Sequence, residues 1–248
     1  MIIASAAGKD FIQKDLPTHS LCRYVGMKTP TYSVSHWAED VQHFRWPRNV
    51  PTVPVQDASN PSLRTLSADP GITILQTPGH TPDELAWYDH GERHLYVGDT
   101  LYERGADDMP IIFPRDGNWI QYMASLHKLL EFVRDKNAIL FSPPAPLPSP
   151  SDEECDQSDA DNEDWQVVLP RVKVGCAHQT ASVDGEEILE EVIALFERII
   201  EGKVPVVNSR EIRGEVYDSW KEDGEVKFSV RAPRRLCEEA RKHFERWG

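Results

Sequence analysis

Long apolar runs are missing from this chain of 248 residues: no stretch reaches the 18 residues that would cross a membrane. Asp10, Lys14 and Asp15 follow the apolar start too closely for the core of a secretory signal, so a cytoplasmic protein is expected. Cysteine is scarce and scattered, at Cys22, Cys155, Cys176 and Cys237, with no Cys-x-x-Cys pair and no disulfide framework. Positive charge is also short, with 27 Lys and Arg against 41 Asp and Glu. No basic patch interleaved with aromatics occurs, which argues against a nucleic-acid partner. Internal repeats and long linkers are lacking too, so one domain over 1–248 is expected.

Much of the net charge of −14 is local, and it falls to −6 once the eight acids of 151–164 are set aside. A proline-rich run, Pro143 to Pro150, comes just before them. Together they have too little apolar surface to pack, so 143–165 reads as a disordered surface insertion. Its carboxylates lack the glycine and spacing of an EF-hand loop.

What is present is a mixed α/β pattern. Met1 to Ala4 reads as a buried strand and Gly8 to Ile12 as a turn and helix. The apolar run Ile72 to Leu75 reads as a strand that stops at Pro78-Gly79. Glu84 to Tyr88 and His94 to Val97 read as two more strands, joined by a hairpin turn at Asp89-His90-Gly91-Glu92. The chain then runs up, down and up, so His80 and Asp99 emerge at the same sheet edge. Ile120, Met123, Leu126, Leu129, Leu130 and Val133 mark one face of a helix over 118–134, with Asp116 as a candidate cap. Ile139 to Ser142 reads as a strand. Val172 to Val174 is a short strand ending at Gly175-Cys176-Ala177-His178. A second amphipathic helix carries Ile188, Val192, Leu195, Phe196 and Ile199, with Asp184 to cap it and Gly202 to end it. Glu225 to Val230 reads as a strand, and Pro233 opens a basic last helix.

A histidine and a carboxylate at one sheet edge suit a divalent metal with mixed nitrogen and oxygen ligands. Three elements fall in line: Thr77-Pro78-Gly79-His80-Thr81, Gly98-Asp99-Thr100, and His178 after a late strand. In this order they resemble the metallo-β-lactamase superfamily, an αββα sandwich of metal-dependent hydrolases. The resemblance implies His80 as a ligand of a first metal, Asp99 as the carboxylate bridging two metals, and His178 as a ligand of the second. It implies zinc, up to two ions, and a small-molecule ester, thioester or lactone-like substrate.

The superfamily's His-x-His-x-Asp-His loop does not occur among these residues. The expected fold is therefore the superfamily sandwich, N-terminally incomplete, as a fragment or as a degenerate member. The expected function is a zinc hydrolase impaired as given. The alternative is a non-catalytic scaffold that keeps the fold and uses its acidic loop to bind a basic partner. Each histidine also has a plainer role open to it. His80 caps a turn, His178 precedes an N-cap region, and His90, His94 and His127 lie at the surface or pack. His19 and His36 are open to a substrate-facing role that nothing specific supports.

Overall fold

The computed structural model of the protein describes residues 2–14, 20, 22, 25–45, 71–105, 108–138, 170–224 and 227–246. The expected insertion at 143–165, the strand at 139–142, His19 and Cys155 lie outside the described residues, as do Glu225 and Val226.

Six strands form the central sheet, side by side in this order: β3 (Gln42–Arg45), β4 (Gly71–Gln76), β5 (Leu85–Asp89), β6 (His94–Tyr96), β8 (Lys173–Gly175) and β9 (Val183–Asp184). β4 is buried along almost its whole length, as its unbroken apolar run requires. β5 alternates instead, sending Ala86 and Tyr88 into the core and leaving Trp87 exposed. The β5–β6 hairpin closes with Asp89 opposite His94, as the turn residues predict. β4, β5 and β6 pair antiparallel in turn, and β8 pairs parallel to β6. β4, β6 and β8 therefore point the same way, and the loops after all three leave from one end of the sheet. A parallel neighbour needs a long crossover. Here that crossover carries β7 (Ile111–Ile112) and the helix α2 (Trp119–Ala138).

In a second sheet β10 (Val206–Ile212), β11 (Glu215–Trp220), β12 (Val230–Pro233) and β7 follow one another. The strand expected over 225–230 is thus found from Val230 onward. Near the N-terminus β1 (Ile3–Ser5) pairs parallel with β2 (His36–Ala38), and the short helix α1 (Lys9–Ile12) lies between them in sequence. β1 is not the buried strand expected: Ile2 is exposed, and in β1 only Ser5 is buried.

The main core joins both sheets to α2, α3 (Gly185–Ile200) and α4 (Arg234–Phe244). Phe113, Trp119, Tyr122 and Phe196 meet there ring to ring. Each such side chain contributes about 1.5–3 kcal/mol by leaving water. The cap of α2 is Asn118, not Asp116: its side-chain oxygen accepts the N–H groups of Ile120 (3.0 Å) and Gln121 (3.1 Å). Asp116 instead lies 3.8 Å from the Lys14 amine. Asp184 caps α3 as expected, accepting from Glu186 and Glu187. Gly202, at φ +79°, lets Lys203 N–H reach the Arg198 carbonyl (2.8 Å) and close the helix. Arg241 of α4 donates to the Ile199 and Ile200 carbonyls at that same end. No helix among the described residues is long and apolar enough to cross a membrane.

Candidate metal centre

The loop after β4 carries His80, and one face of α2 holds it. Lys128 donates its amine to the Gln76 carbonyl and also reaches the Asp40 carboxylate (3.0 Å), which accepts the Gln76 N–H (2.8 Å). Ser125 donates to the Pro78 carbonyl (2.7 Å), and Asn118 N–H donates to the Gly79 carbonyl (2.8 Å). Residues 118, 122, 125 and 128 are neighbours on one helix face. Gly79 sits flat against Tyr122. A Cβ there would fall 2.3 Å from Tyr122 Cα, and its φ of +141° disfavours any side chain. The Pro-Gly stop is thus a docking requirement as well as a turn.

His80 is buried. Its Nε2 lies 2.9 Å from the Ile112 carbonyl, which only accepts, so Nε2 carries the proton and donates. In the neutral ring Nδ1 is then a lone-pair donor for a metal, the arrangement in which the second nitrogen of a ligand histidine is tied to a carbonyl. Nδ1 has no hydrogen-bond partner and lies 3.6 Å from Glu84 Oε2. Burial opposes a charge on His80, but the Glu84 carboxylate, the Ile112 carbonyl and the charge of Asp99 outweigh it, so its pKa is raised.

Glu84 is the residue that the sequence did not single out. It precedes β5 and ties the two loops together. Thr81 donates its hydroxyl to Oε2 (3.2 Å), and Asp99 N–H donates to Oε1 (3.2 Å). Its position at the start of an expected strand carried no signal for this role.

Asp99 follows β6 and His178 follows β8, and the parallel pairing of those strands brings them together. His178 Nε2 stands 3.1 Å from Asp99 Oδ1. The approach lacks hydrogen-bond alignment, and Oδ1 has no hydrogen-bond partner. Imidazole nitrogen and carboxylate oxygen this close together would both be within reach of a single metal ion. Both side chains are partly open to solvent, 46% for Asp99 and 37% for His178. Cys176 is half-buried, and its sulfur accepts the His178 N–H (3.2 Å). Tyr102 packs its ring against His178 at 4.4 Å between centroids.

The other histidines among the described residues lie away from the candidate centre. His43 and His90 both approach the buried Thr73 hydroxyl, at 3.2 and 2.8 Å. They lie at the end of the sheet opposite the candidate centre, because Thr73 and His90 flank the β4 start and the β5–β6 turn. His90 and His94 are half-buried rather than fully at the surface, and His94 stacks on Tyr96. His36 meets the Gln42 side chain at 3.1 Å. His127 is exposed on α2.

The metallo-beta-lactamase superfamily model matches residues 16–142, just over half of the chain. The chain belongs to the metallo-beta-lactamase superfamily. No curated protein matches it. Among solved structures it is similar to the BLEG-1 B3 metallo-beta-lactamase, with 14% identity over 75% of this chain and 61% of that one, at a TM-score of 0.40. It is also similar to a metallo-beta-lactamase family protein of Thermus thermophilus, with 14% identity over 79% of this chain and 46% of that one, at a TM-score of 0.41. It spans less than two thirds of the length of either.

The metal that membership in this superfamily implies is matched by the residues in kind but not in number. Imidazole nitrogen and carboxylate oxygen are zinc donors, and two of them, His80 Nδ1 and Asp99 Oδ1, are buried atoms with no hydrogen-bond partner. Yet among the described residues no three His, Cys, Asp or Glu side chains stand where they would share one ion.

Proposed function

We propose that this superfamily member is a metal-dependent hydrolase whose centre draws on Asp99, His178 and His80, with zinc as the metal. The observation that carries the reading is the unaligned 3.1 Å approach of His178 Nε2 to Asp99 Oδ1. When bound, zinc supplies a water acidic enough to ionise near neutral pH and a Lewis acid for a carbonyl oxygen. The chain's own part is to hold donors in place. Ile112 fixes the His80 tautomer, Glu84 links the His80 and Asp99 loops, and Tyr102 backs His178. Asp99 and His178 are both partly open to solvent, and the substrate class in this reading is a small ester, thioester or lactone. A net charge of −14 disfavours a polyanionic substrate. Three described cysteines, all unpaired, suit a reducing cytoplasm.

On these residues each ion has too few protein ligands, since a catalytic zinc takes three and a water. Weak zinc uptake and slow turnover are therefore part of the reading. The second reading is a scaffold that keeps the fold without the chemistry. Zinc stoichiometry and turnover of a thioester and lactone panel decide between them. A hydrolase shows turnover that rises with added zinc and falls in Asp99→Ala by more than the roughly 10–100-fold typical of losing an outer-shell partner. A scaffold shows none at any zinc concentration. Two tightly held ions with fast turnover would refute the weak-site reading and require further ligands.

A further inference from the structure

We infer that Tyr102 is a positioning residue that sets both histidines of the candidate centre at once, the ring acting on His178 and the hydroxyl acting on His80 through Ile112. The inference rests on the reading of those two histidines as parts of one centre.

The argument starts at the edge of the second sheet. Among the described residues β7 pairs only with β12. In that parallel ladder Ile111 N–H donates to the Ser229 carbonyl and Phe113 N–H to the Arg231 carbonyl, both at 2.8 Å. Alternate residues of a strand use the same side. Ile112 therefore turns its own N–H and C=O outward, as an edge pair outside the ladder. Two side chains take them. The Tyr102 hydroxyl accepts the Ile112 N–H (3.1 Å) and donates to the Pro110 carbonyl (2.9 Å). His80 Nε2–H donates to the Ile112 carbonyl (2.9 Å).

Tyr102 is itself buried, so neither bond is readily replaced by water. Its hydroxyl fixes one side of the Ile112 peptide edge, and that edge fixes the imidazole of His80. The other end of the same side chain, the ring, lies 4.4 Å from the His178 ring, centroid to centroid. One buried side chain thus touches the β8 loop directly and the β4 loop through a single residue of the second sheet. The two actions are separable. The hydroxyl belongs to the His80 arm and the ring to the His178 arm.

The test uses the full chain with ¹⁵N-labelled histidine and no added metal, with His80 and His178 signals assigned from His80→Gln and His178→Gln. Tyr102→Phe keeps the ring and removes the hydroxyl. The His80 Nε2–H is expected to exchange with solvent at least about tenfold faster, the scale of one buried hydrogen bond, while the His178 signals stay in place. Ile112→Pro removes the same bond from its other end. Proline is tolerated on an edge strand whose N–H points away from the ladder, so this variant stands in if Tyr102→Phe fails to fold. It should give the same His80 change. Tyr102→Leu should move both histidines. A His80 N–H that stays protected in Tyr102→Phe and Ile112→Pro would overturn the inference. So would a His178 that responds to Tyr102→Phe as strongly as to Tyr102→Leu. No metal enters this measurement, so its failure is distinguishable from a failure of zinc uptake.

Discussion

The Ser125 hydroxyl donates to the Pro78 carbonyl at 2.7 Å, and through that bond a core helix holds the loop that carries His80. Ser125 is buried and Pro78 half-buried, so the bond is partly shielded from water. Ser125→Ala is expected to cost about 0.5–1.5 kcal/mol, the net scale of one intramolecular hydrogen bond. Urea unfolding of the variant beside the wild type measures it. A change below a few tenths of a kcal/mol would mean the loop holds itself.

Gly79 makes the opposite kind of contact with the same helix, one of exclusion. Gly79→Ala places a methyl group 2.3 Å from Tyr122 Cα at a backbone angle that alanine rarely adopts. The loop must then lift away from α2 or the helix must shift. The expected loss is at least about 2 kcal/mol, from overpacking and backbone strain together. Thermal unfolding checks it, and an unchanged melting temperature would contradict the docking.

Glu84 links the His80 and Asp99 loops, so its removal should affect both. Glu84→Ala leaves Asp99 N–H and the Thr81 hydroxyl without their acceptor. A loss of about 1–3 kcal/mol is expected. Zinc uptake, followed by titration against a chromogenic chelator, should weaken as well. Intact zinc uptake beside a clear loss of stability would confine Glu84 to folding.

Asp218 provides a pH test away from the centre. Arg234 grips its carboxylate at 2.8 and 2.9 Å, Ser209 donates to it at 2.6 Å, and its pKa is lowered, chiefly by Arg234 and against the cost of burial. A carboxylate with a depressed folded pKa adds stability above its unfolded value, about 3.9. That stability is lost as the pH falls through the lower folded value. Asp218→Asn should therefore be less stable than the wild type at pH 7, with the gap closing as the pH drops below about 4. Urea unfolding at several pH values measures the gap. A gap that persists unchanged down to about pH 2.5, well below the ordinary carboxylate range, would mean that shape, not charge, is what Asp218 supplies.

Local patterns determined much of this protein. The unbroken apolar run of β4, the alternation in β5 and the Asp89 to Glu92 turn fixed three neighbouring strands in order and direction. With them came the common end at which His80 and Asp99 emerge, whereas His178 reaches that end only through the parallel pairing of β8 with β6. The cap at Asp184 and the stop at Gly202 were equally legible, because each is satisfied within a few residues of chain. The tertiary structure alone decided how those side chains are held. Ile112 serves His80 across 32 residues of sequence, Glu84 meets Asp99 across 15, and Ser125 meets Pro78 across 47. None of these pairings has a periodicity or a spacing to read. Each arises because packing leaves a buried donor or acceptor facing a distant segment, and a buried polar group must find its partner wherever the fold brings one.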